Sequence, residues 1–475
     1  MNSLGTISVI PATISPEIVQ EITSSFAWEY KIVPISVSSS SIEFLSEAST
    51  QTLKDELEVL LGKSVELTVV STEDLNPLLN RYYRRNKEGE HNVSLSNPDS
   101  FLDDLIAEAK HLGSSDIHVE AYEKSCRVRY RIDGHLIEKY SIPMDLYPSI
   151  VNKIKIKANL DIGEKRLPQD GRIIFQHQSV SIDIRTSILP TLFGEKIVMR
   201  LLNNDASNLS VDQIGMEPVE KKHYLDGVRK PSGIILISGP TGSGKTTTLY
   251  ATLKMLNQEK TNVVTVEDPI EYTLPGINQV QVKEAIGLTF SSALRSFLRQ
   301  DPDIIMLGEI RDVETANMAV RASLTGHLVL STIHTNSAWG TISRLIDMGI
   351  PSFLLANSIS VSIAQRLLRK LCTGCKEQKK VTRNEIPGDW LKEDHVEVSY
   401  PVGCEACHYT GYNGRKAIYE VIPITDSIRE FIKSNKGDIK GELRKNSIKS
   451  LSERAFEMLI HGETSLEETY PYLLS

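Results

Sequence analysis

The segment GPTGSGKTT, residues 239–247, constrains the fold of this chain more than any other feature. It fits the pattern G-x-x-x-x-G-K-[ST], and it stands between an apolar run, GIILIS (233–238), and a helix-like stretch, KTTTLYATLKMLN (245–257). A strand, a glycine-rich turn and a helix in this order predict a phosphate-binding loop, or P-loop, because glycines let backbone N–H groups approach phosphate oxygens. Lys245 would reach the β- and γ-phosphates, and Thr246 would offer its hydroxyl to Mg²⁺. The predicted nucleotide-binding residues are Gly239, Pro240, Thr241, Gly242, Ser243, Gly244, Lys245, Thr246 and Thr247. A glycine-rich turn without a ligand is the alternative, and the strand–loop–helix context disfavours it.

The composition describes an ordinary globular protein. Its 475 residues, 40% hydrophobic and 24% charged, predict about three domains. A net charge of −8 gives no support to general nucleic-acid binding. No stretch approaches the ~20 apolar residues of a membrane span, and the N-terminus lacks a signal-peptide pattern. We therefore expect a cytoplasmic protein that reaches a membrane only through a partner.

The chain divides into four predicted regions. Residues 1–84 carry short apolar runs and predict a small α/β module, and residues 85–98 predict a polar linker. Residues 99–208 predict a second α/β domain, with an amphipathic helix followed by several strands. From 209 to 475, strands alternate with helices as in a parallel βαβ sheet, and the C-terminus reads as helical.

Acidic side chains follow two of the predicted strands of the last region. TVEDPIEY ends a strand and offers Glu267, Asp268 and Glu271. The apolar run IIML (304–307) leads into a Gly-Glu pair that contains Glu309. Because a P-loop binds nucleotide but hydrolysis also needs a positioned water, these carboxylates are candidates for that second task.

A third strand of the same region lies between two histidines. TGHLVLSTIHTN places His327 before the strand and His334 just beyond its far end. A lone histidine is more often a core or surface residue, and Asp-Pro alone makes an ordinary turn. Polar residues at the ends of three strands beside a P-loop indicate a ligand site more strongly than any one of them does, because open α/β sheets bind ligands at the carboxyl ends of their strands. The three motifs together therefore predict one common site.

Four of the five cysteines form two C-x-x-C pairs, Cys372 with Cys375 and Cys404 with Cys407. Two such pairs suit tetrahedral Zn²⁺ held by four thiolates. Because thiolates fill all four positions, the metal would be structural and not catalytic. Free thiols are the alternative. Cys126, in a predicted strand, is expected to be a small buried residue.

These motifs resemble the hallmark motifs of the secretion traffic ATPases, the family that drives type II secretion and type IV pilus assembly (the GspE/PulE/PilB group). The resemblance runs from about Ser115 to the C-terminus and includes SDIHVE, RLPQDGR, LPTLFGEKIVMRLL and RLIDMGI. It implies an α/β protein with a RecA-like P-loop ATPase core. A PAS-like α/β domain and a small N-terminal α/β module would precede that core, and the tetracysteine zinc segment, 372–407, would be inserted in it.

The resemblance also implies roles for five side chains. Glu309 would belong to an atypical Walker B motif and would align the attacking water and support Mg²⁺, partly through water. Glu271 is the other candidate for base or metal contact, and spacing does not decide between the two. His334 resembles a histidine near the γ-phosphate of ATP. Arg172 and Arg185 resemble arginines that close over the phosphates from the smaller domain, with ordinary surface arginines as the alternative.

Further arginines resemble interdomain or intersubunit residues of the family, although ordinary surface positions would also explain them. They are Arg295, Arg299, Arg311 and Arg344. Arg295 and Arg299 are four residues apart on a predicted helix and would share one of its faces.

As a whole, the resemblance implies a cytoplasmic homohexameric motor. It would couple ATP hydrolysis to movement of an inner-membrane platform protein, and so to assembly of a pseudopilus or pilus and to protein secretion, as in a type II secretion system. A type IV pilus assembly ATPase is the alternative. The N-terminal module would dock on a membrane-anchored partner. Some members carry a related module that binds a cyclic dinucleotide, but the Arg-Leu-Gly opening motif of that kind is missing here. The tetracysteine segment favours assembly over pilus retraction.

Other functions remain as alternatives. A DNA-uptake or conjugation-type ATPase would use the same chemistry with different cargo machinery. A nucleotide-sensing module without turnover is disfavoured by the intact Lys245, Glu271 and Glu309. A helicase is disfavoured by the acidic balance, so no nucleic-acid partner is expected.

Overall fold

The computed structural model describes residues 14, 16–19, 21–22, 24–38, 40–83, 98–123, 125–177, 180–202, 210–388, 390–434 and 439–474. The apolar run at 7–10 and the predicted linker at 85–98, apart from Pro98, lie outside these residues. The chain forms two compact units. The first contains Met1–Ser94, Leu371–Lys380 and Glu397–Asn413, and the second contains Leu95–Lys370, Val381–Val396 and Gly414–Ser475.

The described α-helices, numbered in chain order, are α1 Pro16–Val19, α2 Ser24–Tyr30, α3 Gln51–Leu61, α4 Thr72–Tyr82, α5 Pro98–His111, α6 Tyr147–Lys157, α7 Pro218–Val228, α8 Lys245–Leu256, α9 Phe290–Phe297, α10 Val313–Leu324, α11 Ala338–Asp347, α12 Ser352–Ser358, α13 Asp426–Ser434, α14 Ile439–Lys445, α15 Leu451–Ile460 and α16 Leu466–Leu473.

The described strands are β1 Ile32–Val37, β2 Ser41–Ser46, β3 Ser64–Val69, β4 Asp116–Ala121, β5 Cys126–Ile132, β6 His135–Ile142, β7 Gln169–His177, β8 Val180–Thr191, β9 Gly194–Leu202, β10 Gly233–Ser238, β11 Val263–Glu267, β12 Asn278–Gln281, β13 Ile304–Leu307, β14 Leu328–Ile333, β15 Ile359–Leu371, β16 Glu377–Thr382, β17 His395–Tyr400 and β18 Tyr412–Pro423.

The N-terminal module is built on a three-stranded sheet in the order β1-β2-β3. β1 and β2 are antiparallel, β2 and β3 are parallel, and α3 connects the parallel pair. Thr50 caps the start of α3, and Gly62 ends it in the left-handed conformation at φ 64°. The predicted small α/β module at the N-terminus is therefore confirmed.

Within the second unit, β4 to β9 form a six-stranded antiparallel sheet in the order β6-β5-β4-β9-β8-β7. Its apolar face packs against helices, and the hydroxyl of Tyr130 in β5 donates to the Leu105 carbonyl of α5 over 2.9 Å. The opposite face is charged, because β5 alternates between buried apolar residues and half-buried arginines. Cys126 is fully buried in this sheet, as predicted.

The largest sheet has seven strands in the order β12-β11-β13-β14-β10-β15-β18. The six strands from β12 to β15 pair in parallel. Helices cover both faces, so β10, β11, β13 and β14 are buried along their whole length and are mostly apolar. The carboxyl ends of these four strands lie at one edge of the sheet, which we call the carboxyl edge.

Two further observations complete the fold. β16 and β17 pair as a two-stranded sheet between the two C-x-x-C pairs. Within the described part of the chain, no helix has the length and apolar character that crossing a membrane requires.

Candidate active site

The P-loop has the geometry that its sequence predicts. It joins β10 to α8, with Gly242 at φ 78° and Gly244 at φ 85°. A side chain at Gly244 would be strained by this backbone and would lie 2.7 Å from the Gln365 amide nitrogen. At Gly239, a Cβ atom would lie 2.6 Å from the Gln365 carbonyl oxygen. Glycine is therefore needed at 239 and 244, where the loop passes close to β15.

Lys245 is folded back onto its own loop. Its Nζ donates to the carbonyl of Gly239 over 2.7 Å and to that of Pro240 over 3.0 Å. Burial lowers the pKa of Lys245, nearby Glu309 opposes that effect, and nearby Arg366 adds to it. The Thr246 hydroxyl side chain is exposed at the first turn of α8. Thr246 is thus accessible to an incoming polyphosphate, whereas Lys245 would first have to leave the Gly239 and Pro240 carbonyls.

Glu309 lies directly beyond β13 and is largely buried, with 13% of its side chain exposed. Its Oε1 pairs with the guanidinium of Arg311. Its Oε2 lies 3.3 Å from Nε2 of His334, yet it has no hydrogen-bond partner among the described residues. A buried carboxylate oxygen without a partner is costly, and it can accept a proton or orient a water molecule.

The three acids of TVEDPIEY have different surroundings. Glu267 is buried and accepts hydrogen bonds from Thr265 at 2.6 Å, from Gln279 at 3.0 Å and from Tyr250. These bonds hold Glu267 as part of the sheet edge. Glu271 is 38% exposed at the side chain and contacts Arg185. Asp268 is 39% exposed, so a ligand can reach Asp268 and Glu271 but not the buried Glu267.

Of the two arginines predicted to close over phosphates, the structure brings Arg185 to the carboxyl edge. Nη1 of Arg185 lies 3.4 Å from Glu271, and Nη2 donates to the carbonyl of Ile270. Arg172 stands directly across from Arg185 on the neighbouring strand but pairs with Asp183 of its own sheet, at 2.6 Å. Its side chain is 67% exposed. The two arginines therefore differ in position here, although their strands are adjacent.

The two histidines lie at opposite ends of β14. His334, 54% exposed, faces Glu309 at the carboxyl edge. The Nδ1 atom of His327 lies 2.9 Å from the Ala322 carbonyl oxygen at the other end of the strand. Only His334 can contribute to a site at the carboxyl edge.

The remaining predicted arginines are surface groups in this chain. Arg295 lies on α9, but the helix ends at Phe297, so the expectation that Arg299 shares a helical face with Arg295 is wrong. Arg299 follows the helix in a turn, where its N–H donates to the Ser296 carbonyl over 3.0 Å and its Nη1 donates to the Arg295 carbonyl over 2.9 Å. Arg311 binds Glu309 and lies 3.9 Å from Asp268. Arg344 is exposed on α11.

Sequence reasoning missed two residues of β15 that contact the nucleotide-binding loop and its surroundings. The side chain of Gln365 accepts a hydrogen bond from Thr248 of α8 over 2.9 Å. Arg366 donates to the carbonyl of Asn336, two residues after His334, over 2.9 Å. Both residues are buried, Gln365 at 2% exposure and Arg366 at 7%. The signal in the sequence was weak, because β15 also contains other polar residues, among them Ser360, Ser362 and Arg369.

The four predicted metal-binding cysteines form one cluster. Their sulfur atoms all lie within 4.8 Å of one another, and three pairs are 3.8 Å apart: Cys372 with Cys404, Cys375 with Cys407, and Cys404 with Cys407. A tetrahedron with Zn–S bonds of about 2.3 Å has sulfur–sulfur edges of about 3.8 Å. The distances exclude disulfide bonds, whose sulfurs are about 2.05 Å apart. The cluster is therefore compatible with zinc.

Comparison with known proteins agrees with this geometry. Residues 94–470 match the family model described as Type II/IV secretion system protein, and residues 4–89 match the MshEN domain. The type IV pilus assembly ATPase PilB of Myxococcus xanthus is 40% identical over 96% of this chain and 86% of its own length. The type II secretion system protein HxcR of Pseudomonas aeruginosa is 48% identical over 77% of this chain and 75% of its own length.

Among solved structures, the pilus retraction motor PilT with bound ADP superimposes with a TM-score of 0.54 at 27% identity, over 78% of this chain and 96% of PilT. The family match covers far more than half of the chain, and the resemblance predicted from the motifs is confirmed. This chain belongs to the Type II/IV secretion system protein family, the family of secretion and pilus-assembly ATPases.

Proposed function

We propose that this chain hydrolyses ATP at the carboxyl edge and works as the homohexameric motor that assembles a pilus or pseudopilus. The observation that carries the proposal is the buried Oε2 of Glu309, which has no hydrogen-bond partner among the described residues and lies near Lys245 of the P-loop. A site that only binds nucleotide has no need for such a carboxylate. In a hydrolase, such a carboxylate can orient the attacking water.

The proposed chemistry uses the chain's own groups. Bound phosphates would draw Lys245 away from the Gly239 and Pro240 carbonyls, since a charge-assisted contact with phosphate is stronger than one with a neutral carbonyl. Thr246, with Glu271 or Glu309 through water, would hold Mg²⁺, which neutralises phosphate charge when bound. Glu309 would accept hydrogen bonds from the attacking water.

We assign the water-orienting role to Glu309 and not to Glu271. Arg185 already contacts the carboxylate of Glu271, whereas Glu309 keeps one oxygen without a hydrogen bond. The positive charge of Arg185, next to Glu271, would then stabilise negative charge that moves between phosphate oxygens during transfer. His334 would lie near the γ-phosphate. Arg172 would join only if β7 and β8 move closer to the nucleotide.

The remaining assignments extend the family resemblance. Zn²⁺ bound by Cys372, Cys375, Cys404 and Cys407 would be a structural clip, because four thiolates leave no open position. Residues 1–84 would dock on a membrane-anchored partner, and residues 99–208 and 209–475 would be the moving domains. The ring would act on an inner-membrane platform protein from the cytoplasmic side.

Within the family, one relative favours pilus assembly. The type IV pilus assembly ATPase of Myxococcus xanthus matches 96% of the chain, whereas two other pilus relatives match 78% and the type II secretion relatives match 77–79%. Loss of surface pili with normal secretion in a gene-deletion strain would support this choice. Loss of secretion with normal pili would assign the chain to type II secretion, and loss of DNA uptake alone would assign it to a competence system.

The biochemical test is phosphate release measured against protein concentration, with assembly followed by sedimentation velocity. We expect specific activity to rise as rings form and to be lost in Lys245→Ala. An assembled wild-type protein that binds MgATP without releasing phosphate would contradict the proposal and favour a nucleotide-sensing module.

A further inference from the structure

Two buried arginines on β15 differ in their counter-charges. Arg369 is 9% exposed and pairs with the Glu468 carboxylate, at 2.9 Å from Nε and 2.6 Å from Nη2. Arg366 is 7% exposed, and no described carboxylate lies within 4.0 Å of its guanidinium. We propose that Arg366 is an additional phosphate-recognition residue, whose counter-charge is supplied by the bound nucleotide. This inference rests on the proposed function and adds a residue to the same site.

The position of Arg366 follows from strand pairing. β15 runs parallel to β10, with Ala364 opposite Ser238. β10 ends at Ser238, whereas β15 continues to Leu371, so Gln365 and Arg366 lie beside the start of the P-loop at the carboxyl edge. A Cβ atom on Gly239 would lie 3.1 Å from Nη1 of Arg366. The guanidinium therefore lies against the first residue of the P-loop.

The hydrogen bonds of Arg366 hold it in place without neutralising it. Nη1 donates to the Gln365 carbonyl and Nη2 to the Asn336 carbonyl, both over 2.9 Å. Because a guanidinium carries five N–H groups and both acceptors are neutral, donors and the full positive charge remain. Asn336 follows His334 by two residues, so Arg366 connects the P-loop to the loop that carries His334.

The charges around Arg366 favour an anionic ligand. Burial lowers its pKa, while the more distant Tyr472 and Glu420 act in the opposite direction. Glu420 is itself occupied, since it accepts a hydrogen bond from the Ala338 N–H over 3.0 Å, and burial raises its pKa. Lys245 is close enough for the two cations to repel. A buried cation near a second cation is unfavourable until an anion arrives, and a polyphosphate satisfies both.

Arg369 provides a matched control. It lies on the same strand, is equally buried and belongs to the same residue type, but its charge is satisfied by Glu468. If Arg366 were buried only to stabilise the fold, replacing either arginine would lower stability and leave nucleotide affinity unchanged. The proposal separates them, because only Arg366 should respond to nucleotide.

The test compares Arg366→Gln, Arg366→Lys and Arg369→Gln in the full chain. Binding of MgADP and MgATP is measured by calorimetry, and thermal unfolding is followed with and without MgADP. Gln removes the charge and Lys keeps it, while both lose part of the guanidinium hydrogen bonding. We expect Arg366→Gln to weaken nucleotide binding by about tenfold to a hundredfold, as for a hydrogen bond to a charged group. Arg366→Lys should retain most of the affinity. Arg369→Gln should unfold at lower temperature with unchanged affinity.

Two results would overturn the inference. One is equal loss of affinity in Arg366→Gln and Arg366→Lys, which would mean that geometry matters and charge does not. The other is normal affinity in Arg366→Gln, with or without a lower unfolding temperature. If the Gln variant fails to fold, the Lys variant decides: a near-normal shift of its unfolding temperature by MgADP supports the inference, and an absent shift contradicts it. Failure of the wild type to bind or hydrolyse ATP would instead contradict the proposed function.

Discussion

The carboxyl edge and the tetracysteine cluster hold their polar groups in opposite ways. At the edge, Ser243 Oγ and Glu309 Oε2 are buried without a hydrogen-bond partner among the described residues, and no described carboxylate lies within 4.0 Å of the Arg366 guanidinium. In the cluster, four sulfur atoms lie within 4.8 Å of one another and form a complete ligand set. Unsatisfied groups suit a ligand that enters, reacts and leaves. A complete set suits an ion that stays, and therefore a structural role.

The same contrast separates two glutamates on neighbouring strands. Glu267 ends β11 with three hydrogen bonds, including those from Thr265 and Gln279, and is part of the scaffold. Glu309 follows β13 with one oxygen unbound. Both glutamates lie at the carboxyl end of a strand, so the sequence does not distinguish them. Their hydrogen bonds do, because those of Glu267 are satisfied within the described part of the protein and those of Glu309 Oε2 are not.

Removal of two cluster ligands should have the largest effect on the structure. In Cys404→Ser/Cys407→Ser, we expect the bound zinc to be lost and the segment around the cluster to unfold, since structural zinc contributes about 10 kcal/mol or more in small metal-dependent segments. Nucleotide affinity should stay close to normal. Zinc is measured by atomic emission, with Cys126→Ala as the control that keeps the metal. Wild-type protein that contains no zinc after purification under metal-replete conditions would show that the four cysteines do not form a structural zinc site.

Neutralisation of the two phosphate-closing arginines should give unequal results. Arg185→Gln loses a cation in contact with Glu271, and we expect kcat to fall by about tenfold to a hundredfold. Arg172→Gln removes a largely exposed ion pair with Asp183, so a change of about threefold or less is expected. Equal losses of kcat in the two variants would show that bound nucleotide brings Arg172 on β7 to the site as well, and that the two arginines have similar roles.

The smallest expected effect is a pH dependence of the folding stability, and it arises from His118. This residue of β4 is buried, and its two ring nitrogens lack hydrogen-bond partners among the described residues. Burial lowers its pKa, nearby Arg131 adds to this effect, and Glu120 and Asp116 oppose it. Between the lowered pKa and the ordinary value of about 6.5, the unfolded chain binds more protons than the folded one. Folding stability should therefore fall as the pH drops below about 6.5, by about 1 kcal/mol for each unit by which the pKa is lowered.

Chemical denaturation at about pH 7.5 and about pH 5.5 checks this effect. His118→Leu should lose less stability on acidification than the wild type, and the exposed His395→Gln should behave like the wild type. Equal losses in all three proteins would mean that His118 does not contribute to the pH dependence.

The local parts of the site could be predicted from sequence. GIILIS and IIML match β10 and β13 residue for residue, because buried parallel strands need continuous apolar runs. Glycines and Lys245 mark the P-loop through its backbone requirements. The two C-x-x-C pairs mark the cluster, since metal ligands must converge.

The rest depends on contacts between distant residues. Arg185 and Arg172 occupy facing positions on neighbouring strands. They differ in their contacts, because only Arg185 lies against Glu271. Arg366 is brought to Gly239 by the pairing of β15 with β10, more than a hundred residues earlier in the chain. Periodicity and spacing carry no information on such pairings, so the residues could be recognised as polar but not placed in the site.

Glu309 is the residue that we expect to orient the attacking water. The most direct test of this role is MgATP binding and single-turnover hydrolysis by assembled Glu309→Gln, with Glu271→Gln measured in parallel. We predict that Glu309→Gln binds MgATP normally and hydrolyses it about 10²–10⁴-fold more slowly, as expected for loss of a catalytic acid–base group. We predict a smaller loss for Glu271→Gln. Near-normal hydrolysis by Glu309→Gln, with the larger loss in Glu271→Gln, would contradict the account and move the chemistry to the end of β11.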